Sequence, residues 1–263
     1  MMRNRISTAA LLITVPALVA AQAPIKVDAI SFSPAANLAT LEADDLKGQP
    51  ARLSWSADGK QLHLQTLDGK FGQADARLQH YLIDAATGSK KKVDTEPDWA
   101  AAYWTEKSWK AAPGAPAFQI DLKTEQRVEK TVSAPMGGDL ARGGGVGGDG
   151  GSSTTGDVLA AAYNQQPVPV HTMRLAGETV GEFVNSVIVP GLTFGWGPKG
   201  TSVVAFSANK SGRVIVMDDK GTKKEVAGSK DALLPAWSPD GTRIVWLEKD
   251  GKKKFQLRMV TIN

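Results

Sequence analysis

The chain contains no cysteine. Disulfides, thiolate metal sites, cysteine nucleophiles and lipidation at an N-terminal Cys are therefore excluded. Aromatic residues are few, at 6% of 263, yet seven of the seventeen are Trp. Histidines number only three. Charge of one sign is also missing. Once Arg3 and Arg5 are set aside with the leader described below, 29 basic side chains face 27 acidic ones. A balance of about +2 does not provide the basic field that nucleic-acid binders show, so no nucleic-acid partner is expected. What is present is globular: 42% hydrophobic and 22% charged residues, far from the signature of disorder.

Residues 1–21 have the pattern of a secretory signal. Arg3 and Arg5 begin it, Ile6 to Val19 form an uncharged apolar run, and Val19-Ala20-Ala21 supplies small residues before a cut ahead of Gln22. The run falls short of the ~20 residues of a membrane span, and no later stretch is more apolar. A soluble periplasmic or secreted protein of residues 22–263 is expected, with no integral membrane segment.

Three segments repeat. They are Trp55-Ser56-Ala57-Asp58-Gly59, Trp196-Gly197-Pro198-Lys199-Gly200 and Trp237-Ser238-Pro239-Asp240-Gly241, each followed by an apolar strand. In the best copy Pro239 presets the first turn position, Asp240 suits the corner and Gly241 accepts a positive φ. Ile244-Val245-Trp246-Leu247 is apolar on both faces of the strand it predicts, so that strand is expected to be covered on both sides. Trp196 and Trp237 are 41 residues apart, within the ~40–45 of a four-stranded propeller blade. Trp55 and Trp196 are 141 apart, of which 20 belong to a Gly-rich stretch at 137–156 holding 10 of the 27 glycines. The remainder is about three repeats long. Two degenerate units are thus expected in between. One begins near Trp99 and ends in a strand at 117–122; the other holds strands at 158–163 and 168–175. The Gly-rich stretch reads as a flexible loop insertion. Ile30-Ser31-Phe32-Ser33-Pro34 resembles a worn copy of the repeat and is expected to pair with the C-terminal strand at 255–262, removing exposed sheet edges. Lysines after glycine turns, at 90–92, 223–224 and 252–254, read as guard charges on hairpin corners.

The Trp-Ser-Pro-Asp-Gly unit resembles the WD-repeat-like repeat of TolB-type periplasmic proteins and of the propeller domains of the prolyl oligopeptidase family. The resemblance implies an all-β fold, a β-propeller of five or six four-stranded blades, used in the TolB case as a platform for protein contacts. The peptidases carry a catalytic domain after the propeller. Here the last repeat runs to Asn263, so their activity is not implied.

Candidate chemistry is sparse. His63, His80 and His171 each fall in a predicted strand of a different segment, and no pair has metal-ligand spacing. No Gly-x-Ser-x-Gly elbow occurs. Gly145-Val146-Gly147-Gly148-Asp149-Gly150 matches a dinucleotide fingerprint in letters but follows no β-α-β unit. No enzyme, cofactor or metal is expected. The aromatic cluster Trp99, Tyr103, Trp104 and Trp109 is the unusual feature. It reads either as packing between blades or as an exposed patch for a protein or sugar, and it is the candidate binding site. The expected reading is a protein-binding scaffold that contacts another envelope protein; the alternative is a propeller holding a sugar, peptide or small molecule beside a hydrolase. Intact-mass analysis of the exported protein is expected to show an N-terminus at Gln22; a mass retaining residues 1–21 would overturn the leader assignment.

Overall fold

The computed structural model describes residues 25–42, 46–69, 75–107, 118–121, 127–128, 158–164, 170–175, 178–184, 187–188, 194–208, 211–251 and 254–263, with side chains omitted at 103–107 and from 118 to 188. The leader at 1–21 and the Gly-rich stretch at 137–156 lie outside the described residues.

Strand β1 is Ala36–Glu42. Strands β2 (Gln49–Trp55), β3 (Gln61–Asp68), β4 (Arg77–Asp84) and β5 (Lys90–Val93) form one antiparallel meander. Helix α1 (Asp98–Lys107) follows. Strands β6 (Phe118–Asp121), β7 (Arg127–Val128), β8 (Val158–Asn164), β9 (Val170–Leu175), β10 (Glu178–Val184) and β11 (Val187–Ile188) make a six-stranded sheet. A second four-stranded meander comprises β12 (Phe194–Trp196), β13 (Val203–Ser207), β14 (Val214–Asp218) and β15 (Lys223–Glu225). The last sheet is β16 (Ala232–Trp237), β17 (Arg243–Lys249) and β18 (Lys254–Thr261), completed on its outer side by β1. The described residues are thus nearly all β, in antiparallel sheets of which three are four-stranded, the form of a propeller blade.

The three tryptophan-led corners occupy equivalent places. Each Trp ends the first strand of a meander and the turn returns the chain into the second. In two corners the same local bonds hold the turn. Ser238 Oγ accepts from Arg243 N at 2.9 Å, and Asp240 accepts from Thr242 N at 3.0 Å. Ser56 Oγ accepts from Gln61 N at 2.9 Å, and Asp58 accepts from Lys60 N at 3.1 Å. The Asp58 carboxyl is held below the usual carboxylate range by the Ser56 hydroxyl first, then by the Lys60 N–H. Burial would raise Asp240, but hydrogen bonds from Ser238 and Thr242, with the Arg243 charge, outweigh it and lower it.

Strand β17 is the centre of the packing. Ile244, Val245, Trp246 and Leu247 are all fully buried. Val245 and Leu247 join Leu53, Trp55, Leu62 and Ile83 of the first meander in one core. Ile244 and Trp246 join Val203, Ala205, Val214 and Val216 of the second in another. The two-period of a strand thus divides one apolar run between two neighbours. The polar seam repeats this link. Trp55 Nε1 donates to Ala236 O at 3.1 Å, Arg243 Nη2 donates to Gly59 O at 3.0 Å, and the Arg243 guanidinium sits 4.6 Å from the centre of the Trp55 ring. On the other side, Gly195 of β12 lies so close to Pro235 of β16 that a Cβ would collide with the Pro235 carbonyl oxygen.

The first and last described segments both enter the last sheet. Strand β1 pairs with β18 from Ala36↔Met259 to Glu42↔Lys254. Upstream, Phe32 bridges Ile262, and Ser31 and Asn263 exchange backbone hydrogen bonds at 3.0 and 2.9 Å. The expected pairing of residues 30–34 with the C-terminus is therefore present, extended by the β1 ladder. Two expectations need correction. Trp99 does not lead a turn into a strand; it lies in α1. Pro97 just before the helix, Asp98 in its first turn and the Ala100-Ala101-Ala102 run favour helix there. The two degenerate units expected between Trp55 and Trp196 are also replaced, among the described residues, by α1 and the single six-stranded sheet. Strands do occur where expected, at 118–121, 158–164 and 170–175.

Trp246→Ala is expected to cost about 3–5 kcal/mol, the range for emptying a buried aromatic site. Urea unfolding checks it, and a loss below about 1 kcal/mol would contradict the central place given to β17.

Candidate functional site

The first meander has one apolar and one polar face. Leu53, Trp55, Leu62, Leu64, Tyr81 and Ile83 point into the core shared with β17. The other face carries Arg52 and Ser54 on β2, His63 and Gln65 on β3, and His80 on β4, with Leu82 opposite His63. The register places Ser54 opposite His63, and Arg52 and His80 on either side of Gln65. A polar strand face normally meets water, yet Ser54, His63 and Gln65 are each exposed by 2% or less. The cover near His63 comes from the link between β5 and α1. Trp99 meets the His63 ring edge-on, with centroids 6.1 Å apart and planes at 85°. Glu96 Oε1 lies 3.9 Å from Arg52 Nη1.

The two imidazoles form the heart of this cluster. His63 Nε2 and His80 Nδ1 are 3.1 Å apart, so one ring donates to the other. Their planes differ by 16° and their centroids are 5.3 Å apart. Burial, then the charges of His80 and Arg52, push the His63 pKa down to about 3. His80 is lowered chiefly by burial and also by Arg52, while Glu96 pulls it the other way. Both rings are thus neutral at ordinary pH, and the charges beside them are Arg52 and Glu96. Burial lowers Arg52 as well, against the pull of Glu96. Several buried atoms find no hydrogen-bond partner among the described residues: Ser54 Oγ, His63 Nδ1, Gln65 Nε2 and Glu96 Oε1.

A base near pKa 3 is mismatched to proton abstraction at neutral pH, so His63 is a poor general base. Neutral imidazoles are competent metal donors, but among the described residues no three His, Cys, Asp or Glu side chains converge as a metal site. The arrangement suits a buried polar joint whose charge state depends on proton activity.

The structure brings together two histidines that the sequence reading assigned to separate segments. His63 and His80 stand on adjacent strands of one sheet, whereas His171 lies in β9 opposite Tyr163 and Phe183. Of the aromatic cluster, Trp99 is half-buried against His63. Tyr103 and Trp104 occupy α1, one helical turn beyond, with side chains outside the described set, and Trp109 lies outside the described residues altogether. Arg52 and Glu96 went unnoticed in the sequence. The strict alternation Leu62-His63-Leu64-Gln65 was the available signal, but it does not distinguish a wet polar face from a covered one.

No family model matches this chain, and no curated protein does. Among solved structures it is similar to TolB from Acinetobacter baumannii, at 16% identity and a TM-score of 0.27, covering 82% of this chain. The chain spans 55% of that TolB structure's length. It is also similar to the Cps50 (Swd1) beta-propeller domain of Myceliophteria thermophila, at 11% identity and a TM-score of 0.28, covering 80% of this chain and 83% of that one. An oligogalacturonate lyase in complex with manganese follows, at 9% identity and a TM-score of 0.25, covering 80% and 64% respectively.

Folded His63 stays neutral down to about pH 3, whereas in the unfolded chain it takes a proton near pH 6.5. Protons therefore favour the unfolded state between those values, and stability falls as pH drops through that window. A loss on the order of 2 kcal/mol from His63 is expected between pH 7 and 5. Urea titrations at several pH values check it, and His63→Leu should flatten the slope; an unchanged slope in the variant would contradict the assignment.

Proposed function

We propose that the chain is exported to the periplasm or beyond and acts there as a protein-binding scaffold without chemistry of its own. One observation carries the reading. Helix α1 interrupts the succession of strands, carries Trp99, Tyr103 and Trp104, and is followed by Trp109. Large, stiff aromatic side chains supply much of the energy of protein interfaces, and irregular segments on a rigid scaffold are where such contacts concentrate. Trp99 would be the buried root of the patch and the later three its contact residues. The exported leader, the balanced charge and the propeller body support the reading.

A second reading draws on the polar face of β2 to β4. Its unpartnered buried atoms could serve a small molecule, sugar or peptide, with the protein working beside a hydrolase. Saturable thermal stabilisation by a member of a sugar and peptide panel would favour this second reading.

For the scaffold, affinity capture from the native host's envelope with the wild-type chain and a Trp104→Ala/Trp109→Ala variant is the direct check. A specific partner held by the wild type and weakened at least tenfold in the variant is expected, the loss typical of an aromatic anchor. The purified chain is further expected to be inactive on ester and peptide substrates. Robust turnover abolished by a single substitution would refute the reading.

A further inference from the structure

The joints of β17 with its two flanking meanders are apolar cores crossed by a few hydrogen bonds. The face of β2 to β4 under the β5–α1 link differs. There, a buried imidazole, a partly buried one, a guanidinium and a carboxylate stand beside Leu82. We infer that this joint is an acid-released latch: protonation of the His63–His80 pair detaches the segment Glu96–Ala100 from β2 to β4 while the rest of the propeller stays folded. The inference needs only the fold and is independent of the binding reading.

The geometry supplies the mechanism. With both rings neutral, one proton lies between His63 Nε2 and His80 Nδ1, and Arg52 and Glu96 balance each other. A proton arriving from solvent goes first to His80, the less buried ring, on the side where Glu96 stands. Both facing nitrogens cannot then keep their present bond if His63 is charged as well, because imidazolium offers no acceptor. Among the described residues, the charged groups facing the pair are Arg52 from β2 and Glu96 from the link. On β5 the residue opposite His80 is Val93, which is uncharged. One carboxylate thus faces a guanidinium and up to two imidazolium rings in a partly buried site. Repulsion among the cations is poorly screened there, and moving the link outward relieves it. His63 Nδ1 already lacks a partner among the described residues, so the closed state has no spare acceptor for a second proton. The link is anchored by few groups. Trp99 rests against the very ring that becomes charged, and Ala100 alone in the segment is fully buried. Strand β17 has no titratable group from Ile244 to Leu247 and packs on the opposite, apolar face of the first meander.

Hydrogen exchange by mass spectrometry on the mature chain tests this, with rates corrected for the intrinsic pH dependence of exchange. Between about pH 7.5 and pH 5, amides of residues 94–107 are expected to lose protection at least about tenfold more than those of 243–249, which follow only the global loss of stability. His80→Gln should keep the segment protected at the lower pH. Glu96→Gln, which removes the carboxylate that accommodates the first proton, should move the opening midpoint to higher pH. A purely structural role for Glu96 would loosen the segment equally at every pH. Equal protection of 94–107 at both pH values, a loss at 94–107 no larger than that at 243–249, or a midpoint unmoved by Glu96→Gln would each overturn the latch.

Discussion

The fold depends on a strand that is apolar on both faces. In β17, Val245 and Leu247 belong to one core and Ile244 and Trp246 to the other. Four consecutive residues with no polar alternative leave the strand no solvent-facing solution, so sheets must cover it from both sides. That requirement orients the two meanders flanking it. It also explains why the Trp55–Arg243 contact and the Gly195–Pro235 approach lie where they do: each is on a side of the β16–β17 hairpin where a neighbouring sheet is pressed against it.

The ends of the chain follow from the same constraint. A C-terminal sheet so heavily buried needs its outer edge closed, and β1 supplies the closing strand. The bridge at Phe32 and the reciprocal bonds of Ser31 and Asn263 extend this beyond the ladder. Sequence-distant segments thereby become one sheet, an arrangement that converts loss of either end into exposure of β18. Elsewhere the outer strands β5 and β15 present Lys90, Lys91, Lys92, Lys223 and Lys224, charges that discourage pairing with another chain.

The first meander contrasts with this. Its inner-facing residues are buried like those of β17, but its other side carries arginine, serine, glutamine and two histidines beside Leu82. Burying such groups is favourable only where partners satisfy them. Here they are half satisfied, by a histidine pair and a long ion pair, under a helix that departs from the repeat. Specialisation is concentrated where the repeat breaks: the aromatic run, the helix and the titratable cluster all lie between Arg52 and the six-stranded sheet. The rest of the body can be stable because its seams are built on apolar cores, and this one face is then free to respond to its surroundings.

Much of the architecture could be read from order along the chain. The corners at Trp55, Trp196 and Trp237 announced themselves because turn chemistry is local: Ser, Pro, Asp and Gly at fixed offsets fold the same way wherever they stand. The two-sided burial of 244–247 and the pairing of the chain ends were legible for a similar reason, since composition alone forbids the alternatives. The helix at Trp99 was missed because spacing suggested a strand unit where local propensity favoured a helix. The His63–His80 pair was hidden more deeply. An alternation of leucine with histidine and glutamine specifies that one face is polar, but whether that face meets water or another segment depends on what the chain places over it. Only the tertiary structure decides this, because burial, and with it the charge state of an imidazole, is set by neighbours remote in sequence and not by the residue itself.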